Sequence, residues 1–233
     1  MLRIFALVRL ASALLLVLAA IPAQAQTVMG SGTAARCVEN GPNGELACGS
    51  GATAAPGTGA TAIGINAKGT ADAAMGFGYN ANANSIAAMA FGKDASATDQ
   101  GSVAVGQGAN SNGFASTGIG FAARALANDT VAVGDTATAS GNFSTALGAN
   151  TSAGQPSSTA LGYGAQATVA NQMMFGTATN ILAAPGIVSA ASKAAQQGKV
   201  LMVTIDEHGN LAAAAIPVCR CPVIEKPPLK KRQ

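Results

Sequence analysis

The sequence predicts an all-β fold: a parallel β-roll, or solenoid, of about nine 14-residue coils, followed by a small C-terminal helix plus hairpin. Three observations point there. A large apolar residue followed by Gly recurs every 14 residues. Small residues recur in the same register. The composition offers few side chains for an ordinary core. The chain has 233 residues, 49% hydrophobic but only 4% aromatic, with no Trp. It holds 54 Ala and 29 Gly, so its apolar character comes mostly from methyl groups. A conventional core needs large side chains that each bury much area. Only 10% of residues are charged and the formal net charge is +3, which argues against charge-driven disorder. Nine prolines and the lack of a three-residue glycine period exclude collagen. Close-packed small residues in a repeat remain.

Residues 1–25 read as a signal peptide. Arg3 and Arg9 give a basic start, an apolar run from Leu10 to Ile21 follows, and Pro22 breaks it. Ala23-Gln24-Ala25 is a small-x-small cleavage box. The run is too short to span a bilayer comfortably. Removing the two arginines leaves +3 − 2 = +1 on the mature chain, expected to begin at residue 26. No later segment has a membrane-spanning apolar run. Nothing in the charge balance points to nucleic acid.

Residues 26–58 form a Cys-containing segment. Export permits disulfides. Cys37 and Cys48 close a Gly/Pro/Asn-rich loop and are the preferred pair. Cys219 and Cys221 are two apart, which strains a mutual bridge, so they pair with other chains or stay free. A four-cysteine zinc site fits poorly, because the paired cysteines are separated by ten residues and by one, against the usual two to four.

Residues 59–178 carry the repeat. The pairs are Ile63-Gly64, Phe77-Gly78, Phe91-Gly92, Val105-Gly106, Ile119-Gly120, Val133-Gly134, Leu147-Gly148, Leu161-Gly162 and Phe175-Gly176. Counting the apolar residue as position 0, position −2 holds Thr, Met or Val throughout. Position −1 is small apart from Met174, and position −3 is Ser or Thr in the later coils. Position +4 is Ala in nearly every coil, and +6 is small. Ser102-Val103-Ala104-Val105-Gly106 alternates, so −2 and 0 share one strand face. Gly stops the strand or allows close backbone approach. A second short strand fits the Ala-x-Ala pair, and polar residues fill the turn. Coils spaced about 4.8 Å apart make a roll of about 40 Å. Such a thin roll buries little area alone, so an obligate oligomer is expected, with one strand face packed between chains.

The units Ser102–Gly106, Thr130–Gly134 and Ser158–Gly162 resemble the head repeats of YadA-type trimeric autotransporter adhesins. The resemblance covers about 59–178. It implies a left-handed roll, a side-by-side homotrimer, and a place on the surface of a Gram-negative bacterium or outside it. The family's coiled-coil stalk and membrane-anchor barrel are not expected here. No sustained heptads follow residue 178, and no series of alternating strands reaches the C-terminus.

Residues 179–216 read as a capping, neck-like segment. Pro185-Gly186 opens it, Ile187 to Gln197 reads as a short helix, and Val200–Ile205 and Leu211–Ile216 read as strands around a turn at 206–210. Residues 217–233 are Pro- and Lys-rich and read as a disordered tail.

Candidate chemistry is sparse. His208, the one histidine, lies beside Asp206 and Glu207, but a polar hairpin turn explains all three. There is no G-x-S-x-G elbow and no phosphate-loop motif. The aspartates do not recur in register, and the calcium nonapeptide and the acyltransferase hexapeptide period are missing. No catalytic residue, metal or cofactor is expected, and no enzyme activity. The leading reading is an exported head module that attaches to extracellular matrix, cells or surfaces through many repeats at once. The alternatives are an exported β-solenoid enzyme acting on polysaccharide, which needs clustered carboxylates, and an ice-binding solenoid. For the latter, Thr61, Thr117, Thr145 and Thr159 share position −2, but Val and Met interrupt that column and it is expected to face inward.

Overall fold

A computed structural model of the chain describes residues 28–29, 37–39, 44–55, 58–196 and 201–214. The expected signal peptide, the tail and the Cys219/Cys221 pair lie outside the described residues. The chain divides into two units, one ending at Asn180 and one starting at Ile181.

The first unit is a β-solenoid whose coils each contribute two strands. Three-residue strands stack into one sheet, from Leu46–Cys48 and Thr61–Ile63 up to Thr159–Leu161 and Met173–Phe175. Two-residue strands stack into a second, nine-stranded sheet, from Thr53–Ala54 to Gln166–Ala167. Both run parallel with a 14-residue offset: Val105 pairs with Ile119, and Ser96 with Asn110. Backbone bonds between coils follow the same step, as in Gly120 N–H to Val105 C=O and Gly134 N–H to Ile119 C=O, both 2.8 Å. The expected all-β roll is what the chain forms.

The side chains inside the roll are those at −1, +4 and +6. Ala104, Ala109, Ala132, Ala137, Ala146 and Ala153 are all 0% exposed. Every buried hydrophobic side chain among the described residues is Ala. The two sheets lie too close for Leu or Ile between them. Ser and Thr at −3 are buried too, and they tie the turn before the strand: Ser102 Oγ donates to Asp99 C=O at 2.6 Å, and Ser158 Oγ to Gln155 C=O at 2.7 Å.

This interior corrects one expectation. Position −2 was expected to face inward, but Thr61, Thr117, Thr145 and Thr159 are only half-buried and Val131 is exposed. Position −1 faces in, so −2 and 0 both face out. The small −1 residue fits the narrow interior, and a Thr or Val does not.

One coil shows how tight the fit is. Gly118 stands at −1 where its neighbours hold Ala104 and Ala132, and Ser111 stands at +6 where they hold Ala97 and Ala125. A methyl on Gly118 would lie 2.8 Å from Ser111 Oγ, while that hydroxyl donates to Val103 C=O at 2.7 Å. Gly118→Ala is therefore expected to destabilise the roll by roughly 1–3 kcal/mol. Adding Ser111→Ala restores the Ala–Ala pairing of the adjacent coils and is expected to bring stability back to within about 1 kcal/mol. Urea titration of the two single variants and the double variant reads this out. Additive losses would refute it.

The roll starts at Leu46, ahead of the boundary expected at 59. Leu46 pairs with Thr61, a 15-residue step, and Cys48-Gly49 stands where later coils have a large apolar residue and Gly. The extra residue and the Cys hide this coil from a strict 14-residue search. Ahead of it, Cys37–Glu39 pairs antiparallel with Leu46–Cys48, and Val28–Met29 adds outside it. Cys37 faces Cys48 in this pairing, and the two are disulfide-bonded with Cα atoms 4.0 Å apart. Glu45 is fully buried at this end, and Gly59 N–H donates to its Oε1 at 3.5 Å.

In the second unit, Pro185–Val188 is a 3-10 helix and Ala190–Ala195 an α-helix. The single helix expected over 187–197 is interrupted because Ser189 is extended and its side chain caps Ser192 N–H at 3.0 Å. Met202–Ile205 and Leu211–Ala214 form the hairpin, antiparallel.

Candidate functional site

Each coil presents two different outward faces. On the long-strand sheet, position 0 stacks into an apolar column, beside a mixed column of Thr, Val and Met at position −2. The nine residues Ile63, Phe77, Phe91, Val105, Ile119, Val133, Leu147, Leu161 and Phe175 stand in one line, each directly above the last. Phe77 and Phe91 stack with ring centroids 4.7 Å apart and planes 4° apart. The column stays half-exposed to exposed along its length; Ile119 is 40% and Leu147 42% exposed. The chain thus buries its methyl groups and shows its larger aliphatic and aromatic groups to its surroundings. Isolated apolar side chains on a surface are ordinary, but an unbroken line of them is not.

The glycine after each apolar residue is fixed by a different constraint. Gly106 and Gly120 have φ of 131° and 136°, a region open in practice only to glycine. A Cβ on either would strike the carbonyl of the next coil's glycine. These glycines set how the coils stack.

On the nine-stranded sheet, position +5 faces out, and its column is polar: Lys68, Asn82, Ser96, Asn110, Arg124, Thr138, Ser152 and Gln166. It contains no acid. The corners beside it carry ladders of amides and hydroxyls. Asn66 Nδ2 donates to Asn80 Oδ1 at 3.3 Å, and Asn80 Nδ2 to Asp94 Oδ1 at 3.0 Å. Thr136 Oγ1 donates to Asn150 Oδ1 at 2.6 Å. These corner residues sit in the left-handed region, with φ of 54° at Asn66, 53° at Asn80 and 55° at Asp94, which Asn and Asp tolerate well. The sequence reading did not identify this face. The recurrence of Asn66, Asn80, Asp94 and Asn150 three residues after position 0 was the signal for it.

The His208 turn has the geometry of a structural element. The Asp206 carboxylate accepts from Asn210 Nδ2 at 2.9 Å, from Asn210 N–H at 2.8 Å and from His208 N–H at 3.0 Å. These bonds, the Asn210 side chain's foremost, hold the Asp206 carboxyl below its ordinary value. His208 Nδ1 and Glu207 Oε1 are 4.0 Å apart and both side chains are largely exposed, the setting of a weak surface pair. Among the described residues, no three of His, Cys, Asp and Glu are grouped to hold a metal ion. No described helix is long and apolar enough to cross a membrane.

The decisive comparison is with a family model described as the YadA head domain repeat, which matches residues 84–109, 111–136, 125–151 and 153–171. Residues 84–171 are thus similar to YadA-type head repeats. No curated protein matches the chain. The YadA head family is an adhesin family of the trimeric type. The YadA-type repeats and the β-solenoid together suggest an adhesin-type module.

Proposed function

We propose that the chain is the exported head of an adhesin and works as a homotrimer on or outside a Gram-negative cell, attaching it to matrix, other cells or surfaces. The observation that carries this reading is the apolar column at position 0. It runs the length of the roll outside a core whose buried apolar side chains, among the described residues, are all alanine. Burying such a column against a second and third chain contributes on the order of 25 cal/mol per Å² of apolar surface covered. The polar column lies on the other sheet and stays available to a ligand. Attachment gains from repetition, since three rolls offer many weak sites at once and their combined avidity exceeds any single affinity.

Light scattering and cross-linking of the exported protein test the assembly, with a trimer as the expected mass. A stable, folded monomer would sink the reading. Binding of the protein to matrix-coated and abiotic surfaces tests attachment. Cleavage of soluble polysaccharide without any surface binding would favour an enzyme instead.

A further inference from the structure

We propose that the outward face of the nine-stranded sheet binds an acidic polysaccharide, with Lys68, Asn66, Asn80 and Asn82 forming a subsite near its N-terminal end. The inference rests on the adhesive reading and names the ligand class for it. A trough of about 450 Å³ opens on this face, lined by Gly51, Asn66, Lys68, Asn80 and Asn82. That is room for a sugar residue and part of its neighbours. The lining has three amides, one ammonium, no carboxylate and no large apolar side chain.

Each lining group has a stated capacity. Among the described residues, Lys68 Nζ has no ion-pair or hydrogen-bond partner, and neither has the Asn82 amide. Lys68 offers up to three donors and a positive charge to a carboxylate, and Asn82 offers donors and an acceptor together. Asn66 and Asn80 are held in place by their bonds to the next coil, so little side-chain freedom is lost on binding. Asp94, the acid nearest along this ladder, is already engaged by Asn80 Nδ2 at 3.0 Å and by Lys93 Nζ at 3.8 Å. Paired donor–acceptor amides suit neighbouring hydroxyls on a sugar ring, and the ammonium suits a uronic-acid carboxylate.

A protein ligand fits less well. Protein interfaces concentrate their energy on aromatic and apolar anchors seated in pockets, and this trough has none to receive them. The column also has an axial repeat. Lys68 and Arg124 occupy the same position four coils apart, about 19 Å along the roll. A chain of sugars laid along the axis would meet polar groups at every coil and a cation at each end of that stretch.

The test is retention of the exported protein on immobilised alginate, a polyuronate, against dextran, which lacks the charge, and poly-glutamate, which lacks the hydroxyls. Alginate is expected to bind about tenfold tighter than either, the scale of one charge-assisted hydrogen bond. Lys68→Gln is expected to lose about tenfold on alginate. Lys193→Gln, an exposed lysine of the second unit, is expected to stay within about twofold, as exposed charges do. Equal binding to poly-glutamate or to DNA, or an unchanged Lys68→Gln, overturns the proposal. The adhesive reading is scored separately on matrix-coated and abiotic surfaces. Attachment there without alginate binding rejects this ligand and keeps the adhesin, and failure on every surface rejects both.

Discussion

Gly120→Ala is expected to prevent the roll from folding, while Gly108→Ala, two coil positions after Gly106, is expected to be tolerated. Both glycines have positive φ, 136° at Gly120 and 66° at Gly108. Their surroundings differ. A Cβ on Gly120 meets the backbone carbonyl of Gly134, whose own N–H is bonded to Ile119 C=O in the ladder, so no rotamer change relieves the overlap. Gly134 in turn rests on Gly148, so a local shift passes to the next coil. The loss is expected to be roughly 4 kcal/mol or more, the range reserved for a backbone forced out of place. A Cβ on Gly108 has nothing within 4 Å. Other coils place Asn80, Ala122 and Thr136 at the equivalent corner with φ near 50°. There Ala is expected to cost about 1–2 kcal/mol, the left-handed penalty alone. Thermal melts of the two variants by circular dichroism compare them directly. Similar losses would mean that backbone stacking is not the constraint.

The second large effect concerns assembly. The double variant Ile119→Asp with Leu147→Asp places two carboxylates in the middle of the apolar column. If that column is covered by other chains, each charge is buried without a partner, at several kcal/mol apiece. The expected result is a monomer by light scattering, with a large fall in melting temperature. Ser96→Asp with Thr138→Asp adds the same charge to the polar column, and this pair is expected to remain trimeric. A trimer unaffected by the first pair would place the interface elsewhere.

The repeat was legible because it is strict. Nine apolar-Gly pairs at one spacing fix strand, stop and coil length together. Ala at +4 and +6 gave the narrow interior. Which strand face points inward was harder. Positions −2 and 0 carry the larger apolar residues, and habit places those inside. The pleat allows either side; the distance between the two sheets, which the sequence does not state, puts Ala104 and Ala132 inside. The first coil was missed for one inserted residue, and the break at Ser189 because an apolar run with Ala around it reads as one helix. The polar column was hidden by its variety. Lys, Asn, Ser, Arg, Thr and Gln share no side-chain type, only an outward direction.

Because each coil bonds to the next by the same 14-residue step, the roll has no required length. Removing residues 98–111, one full step, would join two coils in register and leave every kind of contact in place. Duplicating them would lengthen the molecule by about 4.8 Å. Insertions of other sizes would break the register. The gene can therefore vary in whole units of 42 nucleotides, the coding length of the 14-residue step, adjusting the reach of the head and the number of its rungs without redesigning the fold.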